Sequence, residues 1–201
     1  MSESKSTKER QHEILDAANE LFAEKGYDAT SVSDIMKKVG IAKGTLYYHF
    51  SSKEEILDAL IERITDEMVQ RARKVREDKE LSVVQRMVGV ICAINVSGHG
   101  DGDILATLHI PQNALFHQKS YELTIKKVGP IMTDLVKEGI EQGIFKTNYP
   151  KAAVHMALTY ALVAFENPSE LYPDLIQGFI YNLERLLDTS EGTFDEFYKC
   201  F

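Results

Sequence analysis

Cysteine occurs only twice in these 201 residues. Cys92 falls inside a predicted helix and Cys200 stands next to the C-terminus, so neither a disulfide framework nor metal-ligand spacing is expected. Long apolar runs are missing as well. The longest stretch, near Val154 to Phe165, is interrupted by His155 and Thr159, which argues against a membrane-spanning helix. The opening segment MSESKST is polar and too short for a targeting signal, so a cytoplasmic location without membrane association is expected. Period-two alternation is absent too, which argues against sheets. Nowhere does the chain set a nucleophile beside a base, or two carboxylates at one defined site, so no enzyme, cofactor or metal is expected. An excess of positive charge is also lacking. Lys plus Arg number 23 against 31 Asp plus Glu, a net charge of −8, which excludes a nonspecific polycation.

What is present is helical periodicity almost throughout. The first helix carries Ile14, Leu15, Ala18, Leu21 and Phe22 on one face and ends at Gly26. The most informative segment follows, residues 30 to 53, TSVSDIMKKVGIAKGTLYYHFSSK. Ser31 and Asp34 have the spacing of a helix start, and Val32, Ile35, Met36 and Val39 form its apolar stripe. Gly40 stands where a helix commonly ends in a left-handed residue, and a second short helix spans Lys43 to Phe50. Helix, glycine turn and helix together form the helix-turn-helix pattern that places a second helix in the DNA major groove.

That second helix carries the side chains a groove reader needs. Lys43 supplies a cation, Gly44 permits close approach, and Thr45 offers a hydroxyl for base edges and a methyl for thymine. Tyr47, Tyr48 and His49 are polar-tipped rings suited to phosphate oxygens, while Leu46 and Phe50, four apart, face inward. Ser52 and Glu55 cap the next helix, which puts Lys53 in its first turn, where amides and an ammonium favour a phosphate. Locally Lys37, Lys38, Lys43 and Lys53 stand against Asp34 alone, a balance of +3. Residues 1 to 53 hold eight cations and eight acids, so the whole −8 falls on residues 54 to 201. An acidic body behind a basic head disfavours DNA contact unless the head is docked.

Thr30, Ile35, Gly40, Ile41, Gly44, Thr45, Leu46, Tyr47, His49, Phe50, Ser52 and Lys53 together resemble the N-terminal signature of the TetR family of bacterial transcriptional regulators. The resemblance covers about the first 55 residues. It implies DNA contacts at Thr30, Ser33, Lys43, Gly44, Thr45, Tyr47, Tyr48, His49 and Lys53, with Ser33 reaching a phosphate at most. It also implies a ligand-responsive regulator, expected to be a repressor, that binds double-stranded operator DNA as a homodimer.

The expected architecture is all-α, with a helix-turn-helix domain at residues 1–53 and a ligand-binding and dimerisation domain at 54–201. Helix four is predicted over Lys53 to Glu77, and others over Ser82 to Val96, from Ile104 past Pro111, Ser120 to Gln142, Pro150 to Glu166, and Pro173 to Leu187. The prolines at the starts of the last two suit a first helical turn. Their apolar surface exceeds what one neighbour can shelter, so residues 150–166 and 172–188 are expected to form the homodimer interface. Candidate effector-binding residues are Cys92, Asn95, His109, Asn113, His117, Met132, Tyr160 and Phe165, where polar groups interrupt apolar faces. His109 and His117 lie two turns apart, too wide for side-by-side metal ligation, and the DGD at 101 to 103 reads as a loop. An alternative is a DNA-bound adaptor answering a protein partner through the aromatic tail Phe194, Phe197, Tyr198 and Phe201.

Overall fold

The computed structural model describes residues 6–94, 114–165 and 172–200, with residues 199 and 200 described by their backbone alone. Helix α1 (Thr7–Lys25) starts at Ser6, whose hydroxyl accepts from the Glu9 N–H at 3.3 Å while the Glu9 carboxylate accepts from the Ser6 N–H at 2.7 Å. This reciprocal pair satisfies amides that a helix start otherwise leaves without partners. The predicted stripe of Ile14, Leu15, Ala18, Leu21 and Phe22 is buried. There follow α2 (Val32–Val39), α3 (Lys43–His49), α4 (Lys53–Glu77), α5 (Val83–Ile94), α6 (Ala114–Glu141), α7 (Pro150–Ala164) and α8 (Pro173–Leu187), then a 3-10 helix, Asp195–Cys200. The architecture is all-α, and no strand occurs among the described residues.

The chain forms two compact units, residues 1–64 with 101–120, and residues 65–100 with 121–201. The division falls inside α4, downstream of residue 53. Ile56, Leu57, Leu60 and Ile61 of its first half are almost wholly inaccessible, in the same unit as the buried Phe22, Ile35, Leu46, Phe50 and Phe116. Removing those four side chains from the first unit would strip its floor, at about 1.5–3 kcal/mol of burial apiece.

In the second unit Val69 and Ala72 of α4 join α5, α6, α7 and α8 in one apolar cluster. Arg86 crosses it as a buried cation. Its guanidinium pairs with both carboxylate oxygens of Glu138, one bond measuring 2.9 Å, and also donates to the Leu81 and Arg76 carbonyls at 3.3 Å each. The Arg86 partner holds the Glu138 carboxyl below the ordinary range. A buried charge persists only when its donors are satisfied in this way.

The tail packs inward. Phe194 and Phe197 are fully buried, Phe194 stacks on Phe145 at 5.9 Å, and the Phe194 N–H donates to the buried Glu184 carboxylate at 3.1 Å. Of the aromatics offered to a protein partner, Tyr198 remains exposed, and Phe201 lies outside the described residues. Cys92 is disulfide-bonded, against the expectation of no bridge. The sequence's other cysteine is Cys200, at the end of the 3-10 helix that packs on α5.

Helix α6 begins at Ala114, six residues before the predicted start, since nothing between Ala114 and Ser120 breaks a helix and Phe116 is buried there. The predicted helix from Ile104 past Pro111 and the loop at 101 to 103 lie outside the described residues. Helix α6 also holds Pro130, which has no N–H to give; beside it the Thr133 hydroxyl donates to the Gly129 carbonyl at 2.8 Å. At its end, the Ile144 and Phe145 amides turn back to the Gly139 carbonyl at 2.9 and 3.2 Å, bringing the Phe145 ring over Gly139. A methyl at residue 139 would overlap that ring, which is itself fully buried. Gly139→Ala is therefore expected to cost roughly 1–3 kcal/mol by overpacking. Denaturant unfolding that matches the parent would show that the ring has room to move.

Candidate nucleic-acid interface

The turn that presents α3 is built by three separate devices. At the start of α2, the Ser31 hydroxyl accepts from the Asp34 N–H at 3.1 Å, and Asp34 Oδ2 accepts from the Ser31 N–H at 2.9 Å and its hydroxyl at 2.7 Å. The Lys25 ammonium reaches the same oxygen at 2.8 Å. Lys25 first, then the Ser31 N–H and hydroxyl, hold the Asp34 carboxyl well below the usual carboxylate range. At the other end of α2, Gly40 takes φ 74° and ψ 38°, and the Gly40 and Ile41 amides return to the Met36 carbonyl at 2.9 and 3.1 Å. The left-handed backbone is what Gly40 is required for, because a Cβ there would meet nothing within 4 Å.

The third device is Lys53. Its ammonium donates to the Tyr27 carbonyl at 2.8 Å and the Thr30 carbonyl at 2.9 Å, and lies 4.1 Å from the centroid of the Tyr27 ring. Thr30 is buried, and its hydroxyl serves the Gly26 and Leu21 carbonyls at 2.8 and 3.2 Å. Both residues therefore hold the α1–α2 connection from inside the domain. Neither task was legible in the sequence, because each joins residues far apart along the chain.

Helix α3 divides as its spacing predicts. Leu46 and the adjoining Phe50 are buried, while Lys43, Gly44, Tyr47 and Tyr48 are exposed and Thr45 and His49 half-exposed. The Lys43 ammonium lies 5.7 Å from the Tyr47 ring centroid, and Tyr48, 77% exposed, meets the His49 ring edge to face at 5.0 Å. Ser33 is exposed on α2. Lys38 is committed to Glu20 at 2.6 Å. Seven of the nine predicted contacts thus sit on the surface of α2 and α3. Gly44 has no steric or conformational reason of its own, since nothing lies within 4 Å of a Cβ there and its backbone is ordinary helix.

Residues 14–60 match the family described as bacterial regulatory proteins of the tetR family, and residues 96–172 match a tetracyclin repressor-like C-terminal domain. The HTH-type transcriptional repressor KstR2 of Mycobacterium tuberculosis (strain ATCC 25618 / H37Rv) is 32% identical over 140 residues, covering 68% of this chain and 70% of that protein. The chain belongs to the TetR family. It is a DNA-binding transcriptional regulator of the TetR type and not an enzyme. The fatty acid metabolism regulator protein of Bacillus subtilis (strain 168) is similar at 31% identity over 138 residues, 67% of this chain and 70% of that one. The structure of FadR from Bacillus subtilis in complex with stearoyl-CoA superimposes with a TM-score of 0.65 at 26% identity, over 90% of this chain and 99% of that one. No helix among the described residues is long and apolar enough to cross a membrane.

Five of the eight residues expected to line an effector pocket are described, namely Cys92, His117, Met132, Tyr160 and Phe165. Asn95, His109 and Asn113 lie outside the described residues. His117 belongs to the first unit, edge to face with Phe116 at 6.1 Å. Met132 is buried, and Phe165 packs on Phe179 at 5.0 Å in the second unit's core. Tyr160, about half exposed, stacks on Phe179 at 5.9 Å, and the Cys92 sulfur is taken by its disulfide. Missing from that set is a cluster on α4 and α6, Arg73, Arg76, Lys126 and Lys127, around a cavity of about 740 Å³. The two basic pairs were visible in sequence, whereas their juxtaposition was not.

Lys53→Ala removes two charge-assisted hydrogen bonds and is expected to cost about 1–3 kcal/mol of stability by chemical denaturation. Asp34 gives a pH test. A carboxyl whose pKa is depressed by folding stabilises the fold fully above its unfolded value, about pH 4, and loses that contribution as pH falls through the lower folded value. Asp34→Asn should melt below the parent at neutral pH, with the gap closing as the solution is acidified below about pH 4. A gap that stays constant with pH would rule out the ionised carboxylate as its source.

Proposed function

We propose that this regulator is a repressor that binds a palindromic double-stranded operator as a homodimer and is released by a small molecule held within residues 54–201. The observation that carries the DNA reading is the division of α3, with Leu46 and Phe50 inward and Lys43, Gly44, Thr45, Tyr47 and Tyr48 outward. Lys43, Thr45 and Tyr48 would read bases. Ser33, Tyr47 and His49 would hold phosphates, as would the one N–H that Lys53 has left. Thr30 would act by fixing the start of α2. Gly44 lets the helix approach the groove at the expense of helix propensity, which explains a glycine that the protein's own packing does not require.

Dimerisation through residues 150–166 and 172–188 is supported by the outer faces of α7 and α8. Met156, Tyr160 and Val163 form an i, i+4, i+7 stripe, 49 to 60% exposed, and Tyr172 and Tyr181 add further ring surface. The opposite face of α8, with Ile176, Phe179, Ile180, Leu183 and Leu187, is already spent in the core. Two copies joined there would offer two reading heads to a twofold site, with half-sites about 34 Å apart. The effector reading takes its class from relatives. A fatty acid metabolism regulator at 31% identity and a structure holding stearoyl-CoA at 26% favour a long-chain acyl thioester. Effector and operator would favour different arrangements of the dimer and so weaken each other by about 1–3 kcal/mol.

Fluorescence anisotropy with a selected operator and with random DNA tests the DNA assignment. Thr45→Ala should cost about 1–3 kcal/mol, mainly at one base position. Equal loss on both DNAs would remove Thr45 from base readout. Gly44→Ala should stabilise the free protein by roughly 0.5–1 kcal/mol while weakening the complex. A variant that gained stability and kept full affinity would end the close-approach reading. Val163→Glu should shift sedimentation toward monomer and reduce operator affinity; an intact dimer would place the interface elsewhere.

A further inference from the structure

The cavity of about 740 Å³ in the second unit is lined by Asp66, Val69, Gln70, Arg73, Arg76 and Glu77 of α4 and by Lys126, Lys127, Pro130, Ile131 and Asp134 of α6. Its volume lies in the range of small-molecule sites. Four cations and three carboxylates share this lining, and their pairing is uneven. Arg76 meets Asp134 at 3.1 Å and Lys127 meets Asp66 at 2.7 Å. Arg73 and Lys126 form no ion pair among the described residues, and both are exposed. Beneath them Val69 and Ile131 are buried and, with Pro130, supply an apolar floor.

This combination selects a ligand chemistry. A guanidinium on one helix and an ammonium on the next suit phosphate oxygens, the guanidinium by paired hydrogen bonds and the ammonium as a point charge. The two existing ion pairs are partly open to water, with side chains 23 to 54% exposed, so each is weak and can be exchanged for a multivalent anion. A monocarboxylate would use one cation and leave the rest. An apolar floor beneath several cations fits a molecule that carries both phosphates and a carbon skeleton.

We propose that the α4–α6 groove is the headgroup site for a phosphorylated amphiphile, with Arg73 and Lys126 as its principal phosphate ligands. This rests on the effector reading above and locates the charged end of that molecule. A coenzyme A thioester and a free polyphosphate offer the groove the same chemistry. Only the thioester brings an acyl chain.

The test is calorimetric titration of the full-length parent, of Arg73→Gln/Lys126→Gln, and of Lys74→Gln as a control. Lys74 is an exposed α4 cation that does not line the groove. The probes are stearoyl-CoA, coenzyme A, inorganic pyrophosphate and stearate, with circular dichroism confirming the fold of each variant. The expected result is stearoyl-CoA affinity reduced at least tenfold in the double variant and unchanged in Lys74→Gln. Coenzyme A should follow the same order, and stearate should be indifferent to all three. Equal stearoyl-CoA binding by parent and double variant overturns the groove and leaves the acyl-thioester reading standing. Pyrophosphate or coenzyme A binding that the double variant loses, with no gain from the acyl chain, supports the groove and removes the acyl reading. No binding of any phosphorylated probe to the parent overturns the groove proposal.

Discussion

The reading head depends on how the connection between α1 and α2 disposes of its carbonyls. Residues 26 to 30 belong to no helix, and Gly26 and Thr30 are buried, so carbonyls along this stretch need donors from the protein itself. Thr30 meets the Leu21 and Gly26 carbonyls, and Lys53 meets those of Tyr27 and Thr30. These four bonds tie the connection before α2 to the start of α4. The position of α2, and with it the Gly40 turn and α3, follows from that knot. Thr30 and Lys53 thereby act on the presentation of α3 through geometry.

Elements whose signals are local were legible. The Ser31–Asp34 cap, the left-handed Gly40, the range of α4 and the proline-led starts of α7 and α8 each follow from residues within one or two turns of one another. The inward and outward sides of α3 were legible for the same reason, since Leu46 and Phe50 are four apart. Signals carried across the fold were not. Lys53 and Tyr27 are 26 positions apart, Arg86 and Glu138 are 52 apart, and the groove pairs α4 with α6. Tyrosine, lysine and arginine are amphipathic, so periodicity alone assigns them to a solvated face even when their tips are committed inside. The expected effector residues rest on a local signal of the same kind. A polar residue interrupting an apolar stripe marks a helix face and says nothing about which faces meet.

Two glycines show how the same residue can mean opposite things. At 139 the missing side chain leaves room for the Phe145 ring, so the reason is internal packing. At 44 no atom of the protein occupies the space a methyl would take. A residue that weakens its own helix and benefits no neighbour has no explanation in the protein's own packing, which is what the proposed approach to DNA would supply at this exposed position of α3. Sequence alone gave both positions the same letter, and only the surrounding atoms separate them.

Helix α4 belongs to both compact units. Its first half floors the helix-turn-helix unit with Ile56, Leu57, Leu60 and Ile61, and its second half carries Arg73 and Arg76. Over its 25 residues, about 37 Å, α4 has its backbone donors and acceptors satisfied internally. A ligand that draws on Arg73 and Lys126 and displaces Asp66 or Asp134, as proposed, would act on the helix whose first half belongs to the reading head. The ion pairs it must open are weak because they are exposed, and that weakness suits a switch. A pair with one buried partner and several hydrogen bonds, such as Arg86–Glu138, fixes one arrangement, whereas solvated pairs along the proposed groove can be exchanged at little cost. The fold thus separates the charges that hold the body together from those available to a ligand.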